Sequence, residues 1–148
     1  MSKLSELAKF LDVETEDLEE SSYDESLFSL GSRDYLVYTD EEADERAKEY
    51  MRETAWAFNA SFIIDHSKLP YEALEMVQGF QEKCEGANDT ILALIEDFDE
   101  FVEDAISADG RGHFLSHYDS EENEISFMRE DDNGIDLHEV TYYIYRTN

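Results

Sequence analysis

Two histidines four residues apart are the first side chains of this sequence that could carry out chemistry. His113 and His117 lie in the stretch DGRGHFLSHYD, with aspartates on either side. At this spacing the two imidazoles could share one face of a helix or a strand, and two histidines with one carboxylate can hold a catalytic metal ion. Against this, Gly110 and Gly112 would interrupt a helix and leave the histidines on an exposed strand. A metal-dependent enzyme centred on the pair is therefore an alternative, while the main interpretation assigns no metal and no other cofactor.

Other catalytic signatures are missing from the sequence. It contains no phosphate-binding loop, no G-x-G-x-x-G or G-x-S-x-G motif and no C-x-x-C pair. Carboxylates occur throughout the chain, so a pair of carboxylates does not distinguish an active site from the rest of the surface. The sequence therefore predicts that the chain is not an enzyme and assigns no catalytic residue.

Two segments rich in Asp and Glu are the second feature of the sequence that could serve a function. The stretch EDFDEFVEDA, residues 96–105, holds six carboxylates, and no lysine or arginine occurs between positions 87 and 109. A second segment, residues 12–25, has eight acids and no base. Like charges four residues apart on a helix cost roughly 0.2–0.5 kcal/mol per pair, and a single lysine would remove that cost. We expect a partner to supply the missing positive charge.

The residues predicted to contact this partner form two sets. On a helix, Glu96, Glu100 and Glu103 would form one row, with Asp97 and Asp104 in a parallel row. Asp99 is left out because its position beside the apolar stripe predicts partial burial. The predicted contacts are Glu96, Asp97, Glu100, Glu103 and Asp104, together with Asp12, Glu14, Glu16, Asp17, Glu19 and Glu20.

Composition shows that the acidic character belongs to a folded chain. Of the 148 residues 41 % are hydrophobic and 13 % aromatic, whereas disordered acidic tails are poor in aromatic residues. The net charge of −28 excludes direct binding to DNA or RNA and disfavours anionic membranes. No apolar run is long enough to cross a membrane. The single cysteine, Cys84, favours a reducing compartment, so we expect a cytoplasmic protein.

Hydrophobic spacing predicts one α+β domain over residues 1–148, with amphipathic helices packed on a small, mostly antiparallel β-sheet. Short helices occupy residues 1–20, and a hairpin turns at Gly31. The helical middle, residues 39–108, opens with a capping box from Thr39 to Glu42 and ends with one long helix from Asn88 to Gly110. Strands fill residues 113–146, with a turn at Asn133-Gly134.

Small size, extreme acidity and a helix studded with Asp and Glu resemble the DNA-mimic proteins of phages and mobile elements. Such proteins block restriction enzymes, CRISPR effectors or other DNA-binding host factors by occupying a basic cleft. The resemblance implies an inhibitor of a basic nucleic-acid-binding protein, without naming the target or deciding between DNA and RNA mimicry. A second alternative is an acidic adaptor that uses the strand VTYYIYR as a pairing edge. The sequence leaves a homodimer open.

Overall fold

The computed structural model describes residues 2–130, 134 and 137–148. It confirms the predicted α+β class, with helices and one antiparallel sheet. The helices are α1 (Lys3–Leu11), α2 (Asp40–Thr54), α3 (Ala60–Asp65), α4 (Leu74–Gln81), α5 (Asn88–Leu94), α6 (Phe98–Asp109) and α7 (Arg111–Leu115). The strands are β1 (Glu19–Glu20), β2 (Leu27–Leu30), β3 (Arg33–Tyr38), β4 (Asn123–Glu130) and β5 (Leu137–Arg146). Short 3₁₀ turns cover Thr15–Asp17, Ala55–Ala57, Tyr71–Ala73 and Cys84–Ala87.

The strands follow the order β1-β2-β3-β5-β4, and each neighbouring pair is antiparallel. The predicted hairpin is confirmed: β2 and β3 meet at Gly31, whose φ of 62° is a left-handed conformation that glycine adopts without a steric penalty. Of the predicted turn at Asn133-Gly134, Gly134 belongs to the described residues and Asn133 lies outside them.

The predicted strand at residues 113–119 is wrong. This segment contains the end of α7 followed by a turn, so the C-terminal strands begin at Asn123. The segment instead makes a close backbone approach that periodicity does not encode. A Cβ atom at Gly112 would lie 2.5 Å from the backbone oxygen of Ser120, so the absence of a side chain lets the chain pack closely against itself.

The chain divides into two compact units, residues 1–46 with 111–148 and residues 47–110. In the first unit α1 packs on the sheet as predicted, and Leu7 is buried in one core cluster with Phe28, Val37 and Ile144. The second unit has its own buried cluster, made by residues of its helices and turns rather than by the sheet. The interpretation of residues 1–148 as one domain stays a prediction. In the described part of the chain, no helix combines the length and apolar character needed to cross a membrane.

A buried arginine joins three segments of the first unit. The Arg111 side chain is only 9 % exposed, and its guanidinium lies 2.8 Å from a carboxylate oxygen of Asp40, 3.0 Å from Asp44 and 2.8 Å from Glu122. It also donates a hydrogen bond to the Asp40 carbonyl. Since a buried charge is costly unless it is paired, these contacts explain how the arginine is accommodated.

Two tyrosines of β5 complete this cluster. The Arg111 guanidinium lies 4.6 Å from the centre of the Tyr143 ring, and the Tyr145 hydroxyl donates a hydrogen bond to Glu122. Burial raises the pKa of the Tyr145 phenol, and the hydrogen bond to the Glu122 carboxylate raises it further. Tyr145 therefore stays protonated at neutral pH and continues to donate.

The predicted capping box at the start of α2 is confirmed. Glu42 accepts a hydrogen bond from the Thr39 N–H at 2.9 Å, and its own N–H donates to the Thr39 hydroxyl at 3.2 Å. The Lys3 ammonium lies 2.7 Å from the same carboxylate. Burial by itself would raise the pKa of the Glu42 carboxyl, but the hydrogen bonds from Lys3 and Thr39 lower it below its ordinary value.

This lowered pKa predicts a pH-dependent contribution to stability. At pH 7 we expect Glu42→Gln to lower the free energy of unfolding by about 0.5–1 kcal/mol, since the pair with Lys3 is partly exposed. A group whose pKa is lower in the folded state stabilises above its unfolded pKa and loses that effect as the pH falls through the folded value. In urea titrations the difference should therefore shrink as the pH falls below the ordinary pKa of a glutamate carboxyl. Glu41→Gln, an exposed neighbour, is the control and should show no such dependence.

Candidate partner-binding surface

The eleven carboxylate residues predicted to contact a partner are all exposed. They fall into the two compact units. The first set, from Asp12 to Glu20, belongs to the first unit, and the second set, from Glu96 to Asp104, belongs to the second. Each set is therefore described by itself.

The second set does not lie on one continuous helix, so the predicted helix from Asn88 to Gly110 is wrong. Helix α5 ends at Leu94, Ile95 has an extended backbone with ψ of 121°, and α6 begins at Phe98. The Glu96 N–H donates to the carbonyl of His66 at 2.9 Å, a contact from a distant part of the chain. The predicted row of Glu96, Glu100 and Glu103 consequently loses its first member to the connecting segment.

Two members of this set have local structural roles. The Asp97 side chain caps α6 by accepting a hydrogen bond from the Glu100 N–H at 3.2 Å. An oxygen of Asp104 lies 3.1 Å from the imidazole Nε2 of His66. The His66 ring is 9 % exposed and contacts Phe62 and Phe101, with ring centres 4.9 and 5.4 Å apart. Asp97 and Asp104 therefore combine surface charge with local stabilisation.

The remaining members of the set present their charge to solvent. Glu100 and Glu103 lie three residues apart on the exposed side of α6, and Glu96 precedes the helix. Among the described residues, none of these three side chains forms an ion pair. Neighbouring like charges on a helix are mildly destabilising, and the described ion pairs of α6 involve Asp99 and Asp104 rather than Glu100 or Glu103.

The predicted partial burial of Asp99 is wrong. Its side chain is 73 % exposed and forms an ion pair with Lys48 of α2. The hydrogen bond and the positive charge of Lys48 lower the pKa of the Asp99 carboxyl. Asp99 is therefore a solvent-facing carboxylate, but one that already has a basic neighbour.

The first set lies on short irregular elements. Asp12 ends α1 in a left-handed conformation with φ of 56°, and the Glu14 N–H donates to the Asp17 carboxylate at 3.2 Å. Glu19 and Glu20 form β1, opposite Ser29 and Phe28 of β2. Leu18 is the buried residue of this segment, and it fixes the segment to the core beside α1. Exposed acids on either side of one apolar anchor remain compatible with the predicted contact surface.

Several of the basic residues contact groups other than the eleven candidate carboxylates. Lys3 binds Glu42, Lys9 binds Glu6, and Arg111 binds the cluster described above. The Arg52 guanidinium lies 5.2 Å from the centre of the Phe98 ring, and that of Arg146 lies 3.6 Å from the centre of the Tyr118 ring. Of these residues, Arg52 is the one that lies beside the second acidic set, because Phe98 is the first residue of α6.

The histidine pair gives no metal centre in the described structure. His113 lies on the exposed side of α7, with its ring 4.9 Å from Phe114, and His117 lies in the following turn. Within residues 2–130, 134 and 137–148, no group of three or more His, Cys, Asp or Glu side chains is placed to hold a metal ion. The alternative of a metal-dependent enzyme has no structural support here.

The segment VTYYIYR, proposed as a pairing edge, is not a continuous free edge. It belongs to β5, which pairs with β3 through Tyr143 to Arg146 and with β4 through Leu137 to Ile144. Tyr143 and Ile144 have strand neighbours on both sides. Burial of Tyr142, Ile144 and Tyr145 explains the aromatic and β-branched character of the segment.

Sequence reasoning missed two residues that organise the molecule, Arg111 and His66. For Arg111 a signal existed, because it is the only lysine or arginine between positions 84 and 128. An isolated base in so acidic a stretch indicates a specific ion pair. For His66 no local pattern reveals that its ring meets Asp104 and that its carbonyl binds Glu96.

Comparison with protein-family models, curated proteins and solved structures found no match to this chain.

The excess of negative charge predicts how stability responds to salt. With 39 acids against 11 bases, repulsion exceeds attraction, and added ions screen both. The Debye length falls from about 30 Å at 0.01 M to about 10 Å at 0.1 M salt. The melting temperature should rise between these NaCl concentrations in differential scanning fluorimetry. A flat or falling melting temperature would show that the few ion pairs outweigh the net repulsion.

Proposed function

We propose that this protein is a nucleic-acid mimic that binds a basic nucleic-acid-binding protein and excludes DNA or RNA from its groove. The observation that carries the proposal is the exposure of all eleven candidate carboxylates in a chain of net charge −28. Three of them in the second unit, Glu96, Glu100 and Glu103, have no ion-pair partner among the described residues. A basic groove that normally binds phosphates would supply the missing counter-charge.

The spacing of these charges supports the mimicry. With a rise of 1.5 Å per residue, Glu100 of α6 lies about 4.5 Å from Glu103 and about 6 Å from Asp104 along the helix axis. Phosphates repeat about every 3.4 Å along each strand of duplex DNA. The similarity is one of charge density, and it favours a groove that reads backbone charge over one that reads bases. The proposed target is a restriction, CRISPR or other defence or regulatory factor, and the proposed location is the cytoplasm.

The proposal assigns no catalysis, no cofactor and no direct binding of nucleic acid. The protein alone should not shift a DNA duplex or an RNA hairpin in an electrophoretic assay at 0.1 M salt, because both are polyanions. A shift by the purified protein would contradict mimicry directly.

The decisive experiment is a capture from a lysate of the host cell, followed by competition. Proteins retained on the immobilised chain are eluted at constant ionic strength with a DNA duplex, an RNA hairpin or a neutral polymer as the control. The proposal expects elution by one of the two nucleic acids, and the effective one distinguishes DNA from RNA mimicry. The eluted protein is then purified, and the chain should prevent it from binding the same nucleic acid. Elution by neither nucleic acid would overturn the proposal.

A further inference from the structure

The sheet ends at β4, and its outer edge is long. All eight residues from Asn123 to Glu130 pair with β5 on one side. Among the described residues, no strand pairs with β4 on the other side. In an antiparallel strand, alternate residues direct their N–H and C=O groups away from the paired neighbour. The outer edge of β4 therefore presents a row of backbone donors and acceptors.

The opposite edge of the same sheet is different. It is formed by β1, which has only the two residues Glu19 and Glu20. Proteins commonly protect sheet edges by shortening them, by inserting proline or lysine, or by covering them. β1 is protected by its length, whereas β4 is longer than the usual strand of about 5–6 residues, contains neither proline nor lysine, and carries the charged residues Glu124, Arg129 and Glu130. β4 is therefore the longer of the two outer edges, and its charges restrict which segment can pair with it.

The two faces of β4 differ in chemistry. Ile125 and Phe127 are half-buried on the face that joins the core of the first unit. The other face presents Glu124, Met128 and Glu130, all exposed. The side chains of a strand added beside β4 would alternate between these two faces. Each would lie next to a β4 side chain of the same face, because residues opposite each other in a sheet point to the same side. Apolar side chains suit the first face, and basic side chains suit the second.

A second copy of this chain fits the edge poorly. If two β4 strands paired antiparallel about Phe127, Glu124 of each would face Glu130 of the other, and like charges opposite each other are destabilising. The pairing would also bring together two chains that each carry a charge of −28. A partner of opposite charge has neither difficulty.

We propose that β4 is a docking edge for an extended segment of a partner protein in which basic and apolar side chains alternate. Main-chain hydrogen bonds hold the segment in place, and the alternating side chains select it. This site lies in the first unit and uses backbone groups, so it does not rest on the proposed nucleic-acid mimicry.

The test uses an eight-residue peptide of alternating lysine and valine, blocked at both ends. Two further versions are methylated on every second backbone nitrogen, one version for each of the two alternations. Methylation removes the N–H donors of one edge of the peptide without changing the charge of the peptide. We expect the unmethylated peptide to bind and to slow hydrogen exchange of the β4 amides. Methylation of the nitrogens that face β4 should weaken binding at least tenfold, while the other methylated version keeps most of it.

Protein variants provide the second arm of the test. Glu124→Lys with Glu130→Lys should weaken binding of the unmethylated peptide at least tenfold. Neutralising Glu96, Glu100 and Glu103 in the second unit should leave it within about twofold, since the proposed docking uses the backbone groups and the carboxylates of β4 itself. If this second variant no longer competes with nucleic acid, that result bears on the proposed function only. A failure of the docking edge and a failure of the nucleic-acid mimicry can therefore be distinguished.

Three outcomes would overturn the docking edge. Equal binding of all three peptides would show that charge alone attracts them. No binding of the unmethylated peptide at low or moderate salt would exclude the site. Concentration-dependent association of the protein alone, with protection of the β4 amides, would show that a second copy occupies the edge.

Discussion

Neutralising the carboxylates between Glu96 and Asp104 should abolish most of the inhibition while the fold survives. The variant carries five changes: E96Q, D97N, E100Q, E103Q and D104N. Charge complementarity sets the rate of encounter with a basic groove, and its removal should weaken inhibition about 100-fold. The measurement is the concentration of this protein that displaces a fluorescent DNA duplex, or its RNA equivalent, from the purified partner.

The choice of replacement follows from the geometry of each site. Asparagine at position 97 still accepts a hydrogen bond and is as good a helix cap as aspartate. Asparagine at position 104 can still hydrogen-bond to the His66 imidazole through its amide oxygen. Removing like-charge pairs on α6 is mildly favourable. We therefore expect the melting temperature to be unchanged or slightly higher.

A matched control separates the location of the charge from its amount. Glu53, Glu72, Glu75, Glu82 and Glu85 are five exposed acids of the same compact unit, outside the segment 96–104. Changing all five to glutamine removes the same charge and should weaken inhibition much less. If the two variants inhibit equally well, the segment 96–104 is a solvated face without a partner. The exposed acids from Asp12 to Glu20 would then be the next surface to neutralise.

The parts of the fold that the sequence predicted are those set by nearby residues. The capping box between Thr39 and Glu42 is a three-residue relationship, and the hairpin at Gly31 depends on one permissive backbone position. The break at Ile95 was not predictable in this way. The apolar stripe continues through it, and the carbonyl of His66 that binds the Glu96 N–H beside the break lies thirty residues before Glu96.

The same distinction applies to the candidate surface. The exposure of the acids could be predicted because an unpaired carboxylate is strongly disfavoured inside a protein. Their partners could not be predicted, since Asp99 meets Lys48 and Asp104 meets His66 only after α2, α3 and α6 have packed together. A sequence pattern therefore indicates how much charge a surface carries, but only the tertiary structure shows which part of it is uncompensated.

Replacement of Arg111 by alanine should produce the largest loss of stability of any single change considered. Removing one partner from a buried ion pair costs about 3–5 kcal/mol, because the remaining charge lacks compensation. The carboxylates of Asp40 and Asp44 are 62 % and 61 % exposed and regain contact with water. We therefore expect the lower end of that range, about 3 kcal/mol, in urea denaturation followed by far-ultraviolet circular dichroism.

Two further variants identify the cause of that loss. Arg33→Ala removes the same charge from an exposed position of the same unit and should cost less than about 0.5 kcal/mol. Arg111→Lys keeps the charge but lacks the planar fork that reaches both Asp40 and Glu122, so its stability should be intermediate. Hydrogen exchange should locate the weakening in β3 and β5, since the cluster contacts Tyr143 and Tyr145. If Arg111→Ala and Arg33→Ala destabilise equally, the loss reflects only added negative charge, and the buried cluster does not hold the segments together.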